Sequence, residues 1–535
     1  MWRRLGTAAV LGVVVLGACS PQETLRGIGL AKDFGGGVSG DEPRAVLVAR
    51  DVLATGGTAA DAAVALYFTA AATYPASAAL GGGGACLVFD PGERRVEALE
   101  FPAVAPRFAA AGASRPSAVP GAVRGMFALH ARYGRLPWSM LLAPAEQAAR
   151  LGHPVSRALA SDIALAADAL LADAEVARVF GRGDGKPLRE GDELVQLDLA
   201  AVLTLLRTRG PGAFYGGEFA RKLVAATAAG GGALSVEDLR DYQPVWRETL
   251  QVPFGFHVMH TLASPTAGGV TLLQMWSMLT QGDRYEDADA DERAHLLAEV
   301  SMRAVADRGN WLPRVGNSTG VAALIAEDRI DRLMASYRSD RHTAATALTP
   351  PPTKRRENPA ATSFVVVDGE ASAVACTVTL NNLFGTGRMA PGTGIFLAAA
   401  PSSSRPATTS SAPVMVVNHN NGNFYFAAAA SGGAAAPSAV IGVMAGALVD
   451  GMTLGEAVAA PRIYHGGIPD AAVHEPGESE LRLTDLRRRG YALTEVPELG
   501  RVNVAYCSEG FKGRKHDCLF VNDPRGHGLA TAVQF

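Results

Sequence analysis

The stretch Ala361–Gly387, ATSFVVVDGEASAVACTVTLNNLFGTG, decides the fold. An apolar, β-branched run from Phe364 to Val367 leads into the turn signal Asp368-Gly369-Glu370. A second run, Ala373 to Leu380, ends at Asn381 and is followed by a Gly-Thr-Gly turn. Two such runs around a short polar break predict a β-hairpin. Side chains alternate along a strand, so Thr377, Thr379 and Asn381 share one face. Three polar groups on an otherwise apolar strand need hydrogen-bond partners or a reaction to serve. A strand with its wet face outward would also account for them.

The 535 residues are enough to bury a large core, as one α/β domain or two interleaved halves. With 19% charged residues and a net charge of −3, nothing in the composition points to a nucleic-acid partner. Met1-Trp2-Arg3-Arg4 precedes an apolar run from Leu5 to Ala18, too short to span a bilayer, which reads as a signal peptide over residues 1–19. Leu16-Gly17-Ala18-Cys19 resembles the bacterial lipoprotein box. Lipid on Cys19 would anchor the mature chain at a membrane facing the periplasm, since each buried CH₂ contributes ~0.8 kcal/mol. The alternative is an ordinary cleaved signal peptide; either way the protein is expected to be exported.

Export directs attention to the other cysteines. Cys507 and Cys518 flank the polar loop SEGFKGRKHD between two strand-like runs, where a disulfide would stabilise by roughly 2–3 kcal/mol. Cys86 and Cys376 sit inside apolar runs and are expected to be buried thiols.

Residues 20 to about 40 are Gly-rich and expected to be mobile. Ala45 to Thr55 and Asp61 to Ala72 read as helices separated by Gly56-Gly57. Capping boxes are expected at Ser235 with Asp238 and at Thr453 with Glu456. Thr343 to Pro359, with Pro350-Pro351-Pro352 and a basic cluster, cannot continue a helix and should lie exposed. Strands then dominate to about Phe426, a helix follows Ser431-Gly432-Gly433, and strands return near the end.

The hairpin resembles the start of the small subunit of the γ-glutamyltransferases, self-cleaving enzymes with an N-terminal nucleophile. Other segments follow in the same order. Gly56-Gly57-Thr58-Ala59-Ala60-Asp61-Ala62-Ala63-Val64 is similar to that family's GGNAxDAAVA segment, and Leu80-Gly81-Gly82-Gly83-Gly84 to its glycine-rich turn. Val119-Pro120-Gly121, Tyr133-Gly134-Arg135-Leu136-Pro137-Trp138 and Gly210-Pro211-Gly212-Ala213-Phe214-Tyr215-Gly216-Gly217 come next. Ser264-Pro265-Thr266-Ala267-Gly268-Gly269, Ala430-Ser431-Gly432-Gly433 and Ala460-Pro461-Arg462 complete the series. The resemblance implies an α/β (α+β) fold, the αββα sandwich of the N-terminal-nucleophile hydrolases. It also implies a large-subunit-like part at 20–357 interleaved with a small-subunit-like part at 358–535, and no cofactor.

In that family a threonine freed at the new N-terminus attacks a γ-glutamyl amide, with its own α-amine or a nearby water as base. Backbone N–H groups stabilise the oxyanion. By resemblance Thr379 positions the nucleophile, Asn381 matches the asparagine two residues on, and Gly432 and Gly433 match the oxyanion-hole pair. Thr409-Ser410, or Ser410-Ser411, matches the serine pair that holds the substrate carboxylate.

Three positions depart from the pattern. Counted without a gap, the nucleophile position is Ala361, and Thr362 could act only if cleavage moved by one residue and a bulge re-aimed it. The arginine for the glutamyl carboxylate falls at Pro102, with Arg107 five residues on, and the aspartate for the amino group falls at Ser403. Residues 403–409 are too few for the lid many members carry. Losing two charge-assisted contacts of ~1.5–3 kcal/mol each would cost several powers of ten in γ-glutamyl affinity.

His257 and His260 form an H-x-x-H, but on a strand odd spacing splits the two faces, so no metal site is expected. The glycines at 81–84 lack a phosphate-loop context, and no serine sits in a G-x-S-x-G elbow. Two readings follow. One is an amidohydrolase that self-cleaves and uses Thr362 on a small amide or peptide; the other is a non-catalytic exported lipoprotein that keeps the fold as a binding or scaffold module.

Overall fold

The computed structural model describes residues 34–534 except 108–112, 264–265, 313–319, 350–359, 402–409 and 513–516. Residues 1–19, expected to be a signal peptide, with Cys19, and also Ser403, Thr409 and most of the Thr343–Pro359 stretch lie outside the described residues. Among the described residues, no helix is long and apolar enough to cross a membrane.

Thirteen strands build two sheets. In chain order they are β1 (Phe34–Gly40), β2 (Gly83–Asp90), β3 (Arg95–Phe101), β4 (Val245–Glu248), β5 (Leu250–Phe254), β6 (His257–Thr261) and β7 (Thr362–Asp368). After them come β8 (Ala373–Thr379), β9 (Val414–Asn418), β10 (Asn423–Ser431), β11 (Arg501–Tyr506), β12 (Leu519–Val521) and β13 (Leu529–Gln534). The first sheet runs β13-β1-β7-β8-β2-β3-β4 and the second β12-β11-β10-β9-β6-β5. Each sheet therefore mixes strands from before and after the Thr343–Pro359 stretch.

Alternation along β7 and β8 assigns the layers. Val365, Val367, Ala373 and Ala375 pack between the sheets with Met415, Ala427 and Ala505. Phe364, Val366, Val374 and Val378 face the helices Pro43–Ala54 and Ala59–Thr73. Outside the second sheet lie the helices Ala267–Thr280, Ala290–Trp311 and Ala436–Leu448. This is an αββα sandwich, with a core between the sheets and one under each helical layer.

The helix Ala59–Thr73 shows how a short motif becomes an anchor. Every residue in it is buried. Thr58 and Asp61 form a capping box, and Asp61 also accepts the backbone N–H groups of Arg135 and Leu136. One carboxylate thus starts the helix and pins the Tyr133–Trp138 loop to it.

Two expectations need correction. Residues 34–40 are not a mobile tail but the buried strand β1, whose glycines admit close neighbours: a Cβ on Gly37 would stand 2.3 Å from the Phe520 ring. Cys86 and Cys376 are not free thiols but a disulfide, because they are directly opposed in the β2–β8 register. The structure also joins Cys507 to Cys518.

An ionic cluster, buried at Glu299 and His465 and exposed at Asp470, ties the chain around Thr343 to the second half. His342 Nδ1 lies 2.9 Å from Glu299 Oε1, and its Nε2 lies 2.9 Å from Asp470 Oδ1. Thr343 N–H and the Tyr491 hydroxyl also donate to Glu299, and Ala345 N–H donates to Asp470. His465 Nε2 stands 3.2 Å from Asp470, while Gly467 N–H donates to His465 Nδ1. Because Nδ1 accepts that bond, Nε2 of neutral His465 carries the proton and is not a vacant metal ligand.

Burial lowers the His342 pKa, but hydrogen bonds to Glu299 and Asp470 outweigh it and hold the imidazole above its ordinary value. Burial and the neighbouring His342 push His465 down to about 4. A raised native pKa stabilises fully below the unfolded value of about 6.5 and loses its effect as pH rises through the native value. His465 acts in the opposite sense, losing stability as pH falls from about 6.5 toward its native value. His342→Gln is expected to destabilise by about 1–3 kcal/mol below pH 6.5. The gap to the parent in melting temperature should narrow at pH 9, and a gap independent of pH would refute the charged clip.

Candidate active site

Two hydroxyls stitch the sheets together near their open end. Ser363 Oγ donates to the Ala429 carbonyl at 3.0 Å, and Thr377 Oγ1 donates to the Ala430 carbonyl at 3.3 Å. Asn503 Nδ2 reaches the Ser363 hydroxyl at 2.9 Å from β11. Two residues further out along each strand come Ala361, Thr379, Ser431 and Arg501, which therefore form the next layer at the mouth. The register supports this: Val378 opposes Thr362, so Ala361 opposes Thr379, and Ser431 opposes Arg501.

Within this layer, Thr379 Oγ1 donates to the Ala360 carbonyl at 2.7 Å and accepts the Asn381 N–H at 2.9 Å. Asn381 adopts a left-handed φ of 63°, which asparagine tolerates better than most residues. Its side-chain amide donates to the carbonyls of Ala103 and Ala399, clamping two loops at the rim. Gly432 and Gly433 close the strand β10 with φ of 129° and 59°. A Cβ on Gly432 would lie 2.5 Å from the Gly500 Cα, so glycine is required there.

Thr362 is not brought to this layer. It shares the face of Val378 and Phe364, is 4% exposed, and donates its hydroxyl to Asp41 Oδ2 at 2.9 Å. The same oxygen accepts the Ser363 N–H, and Asp41 Oδ1 accepts Asn503 Nδ2 at 2.7 Å. No bulge interrupts β7 to re-aim Thr362; its pairing with β8 runs unbroken from Val367 to Thr362. Thr362, the hydroxyl expected to act if cleavage moved by one residue, is bonded to Asp41 rather than turned toward Thr379. Burial pushes the Asp41 carboxyl pKa up, opposed by the bonds from Ser363, Asn503 and Thr362.

The substrate-head positions are uneven. Ser410 is buried, with its hydroxyl 3.2 Å from Arg308 Nη2, and Arg308 Nε in turn donates to Thr271. The Ser410–Ser411 backbone rests on Gly268, where a Cβ would stand 2.2 Å from the Ser411 carbonyl oxygen. This contact explains the glycine in the Ser264–Gly269 motif. Pro102 is exposed and offers only its carbonyl, which accepts the Tyr242 hydroxyl. Arg107 is exposed and is tied through its N–H to Asp238.

His260 pairs with His419 across 2.9 Å and with Thr249, whereas His257 stacks on Tyr425, so the H-x-x-H splits as strand spacing predicts. Burial, with His419 beside it, holds His260 at about 3. Asp41, Asn503 and Arg501 are site neighbours that no motif announced. The only sequence signal for Asp41 was an acidic pair, Asp41-Glu42, ahead of a helix.

A family profile described as Gamma-glutamyltranspeptidase matches residues 45–533. The chain is 31% identical over 386 residues to a glutathione hydrolase proenzyme of Pseudomonas aeruginosa, covering 68% of this chain and 67% of the relative. It is 30% identical over 429 residues to the Escherichia coli glutathione hydrolase proenzyme, covering 74% and 72%. Among solved structures, a cephalosporin acylase from Bacillus halodurans superposes with a TM-score of 0.81 at 22% identity, covering 94% of this chain and 96% of the other. A γ-glutamyltranspeptidase from Pseudomonas nitroreducens superposes with a TM-score of 0.53 at 29% identity, covering 58% and 97%. The motifs, the sandwich and these matches agree: the chain belongs to the γ-glutamyltranspeptidase family.

Proposed function

We propose that this protein is a family member that binds a small amide or short peptide without self-cleavage or γ-glutamyl transfer. One observation carries the reading: a methyl group stands opposite Thr379, while the nearest candidate hydroxyl, Thr362, is spent on buried Asp41. The relatives are named for hydrolysing glutathione, itself a γ-glutamyl peptide, so the ligand class follows theirs. Residues 1–19 support export, with Cys19 as a lipid anchor on the periplasmic side of a membrane.

A second reading, hydrolysis, is favoured by Thr379, Asn381 and Gly432-Gly433 remaining in place. Intact-mass analysis of the mature protein separates the two. A single chain carrying lipid at Cys19 is expected; two fragments cut beside Ala361 would overturn the non-cleaving reading.

The converse experiment restores what is missing. In Ala361→Thr the introduced hydroxyl can attack the Ala360 carbonyl carbon, to which Thr379 already donates from the oxygen side. The peptide C–N bond breaks as an ester forms, and water then hydrolyses the ester to free the new α-amine. Two fragments, the smaller beginning at residue 361, are expected on a denaturing gel. An uncut Ala361→Thr would show that more than the nucleophile has gone.

Thr362→Val should leave that cleavage intact. It should cost about 1–3 kcal/mol in denaturant unfolding, because Asp41 loses a buried donor. Amide hydrolysis present in the parent and abolished by Thr362→Val would instead make Thr362 catalytic.

A further inference from the structure

We infer that Arg501 is the carboxylate-recognising residue of this cleft, selecting amide or peptide ligands that carry a free carboxylate. The inference rests on the binding reading above and adds to it the group that chooses the ligand.

Its place follows from alternation on β11. Val502 and Val504 lie in the core beneath the outer helices, whereas Ala505 packs between the sheets and Asn503 bonds to Asp41 and Ser363 there. Arg501 belongs to the inward set and sits one layer outside Asn503. It is opposed to Ser431, at the level of Ala361 and next to the Gly432–Gly500 contact. Arg501 is thus level with the mouth layer and adjoins Gly500, whose backbone meets Gly432.

Its surroundings leave it usable. Nε and Nη2 donate to the Glu498 carboxylate at 3.1 to 3.3 Å. Nη1 meets no acceptor among the described residues. The arginine side chain is 20% exposed and Glu498 40%, so a ligand can reach the pair and compete with Glu498 for the planar fork. Buried Tyr74, Asp162 and Asp41 are near enough to act on its charge. Gly526 lies along its stem, where an added Cβ would stand 3.2 Å from the Arg501 Cδ.

Chemical need points the same way. At the other rim the position expected to hold a cation is the exposed Pro102, which has no donor. A bidentate guanidinium is the side chain best matched to a carboxylate. Moving it from the β3 rim to β11 changes which end of a ligand is gripped and where its amide lies.

The test is calorimetric titration of the full mature protein with glutathione and with its dimethyl ester, whose carboxylates are capped. The parent is expected to prefer the acid at least about tenfold. Arg501→Gln should erase that preference while leaving ester affinity unchanged, and Arg501→Lys should keep part of it. Glu498→Gln, which removes the competing carboxylate, should tighten binding of the acid; a merely structural ion pair would not produce that gain. Thermal melts check that each variant is folded. Equal acid binding by the parent and Arg501→Gln would overturn the role of Arg501 alone. Failure of the parent to bind either compound would overturn the binding reading, and this inference with it.

Discussion

Asp41 is the fixed point around which the two halves of the chain assemble. Its carboxylate is buried and accepts the Thr362 hydroxyl and Ser363 N–H from β7 and the Asn503 amide from β11. Burying a carboxylate costs several kcal/mol unless donors replace its water, and here three do. Because the donors come from adjacent residues with opposite side-chain directions, only one register of β7 satisfies them. Sliding β7 by one residue would exchange Thr362 with Ala361, strip Asp41 of a donor and drive polar groups into the helical core. One constraint thus sets position 361 at the mouth and buries Thr362.

The distribution of charge around the cleft follows from that frame. The expected cation position on the β3 rim is an exposed proline. On the opposite rim, Arg501 is surrounded by Glu498, Asp162 and Asp41. Glu498 fixes the orientation of the guanidinium. Two of its nitrogens are held by Glu498, and the deeper acids are penalised by burial.

Local features were legible in the sequence and long-range ones were not. The hairpin, the capping boxes at Ser235 and Thr453, and the Cys507–Cys518 bridge each depend on residues within a short span. Cys86 and Cys376 are 290 residues apart and meet only through the β2–β8 register. Residues 34–40 looked mobile because glycine is a poor strand former. In place, their lack of side chains lets Phe520 and the β7 backbone approach β1. Arg501 lacks any local signal, because its role arises from alternation on one strand and a turn on another. Thr362 was ambiguous for the same reason: counting residues cannot reveal Asp41, which lies 321 positions away.

The residues that survive at the site can be explained without chemistry. Asn381 is needed where the backbone turns left-handed, and its amide joins the Ala103 and Ala399 carbonyls. Thr379 satisfies the Ala360 carbonyl and the Asn381 N–H together. Gly432 is required by its φ and by the Gly500 backbone pressed against it. Each would be destabilising to replace even in a protein that catalyses nothing.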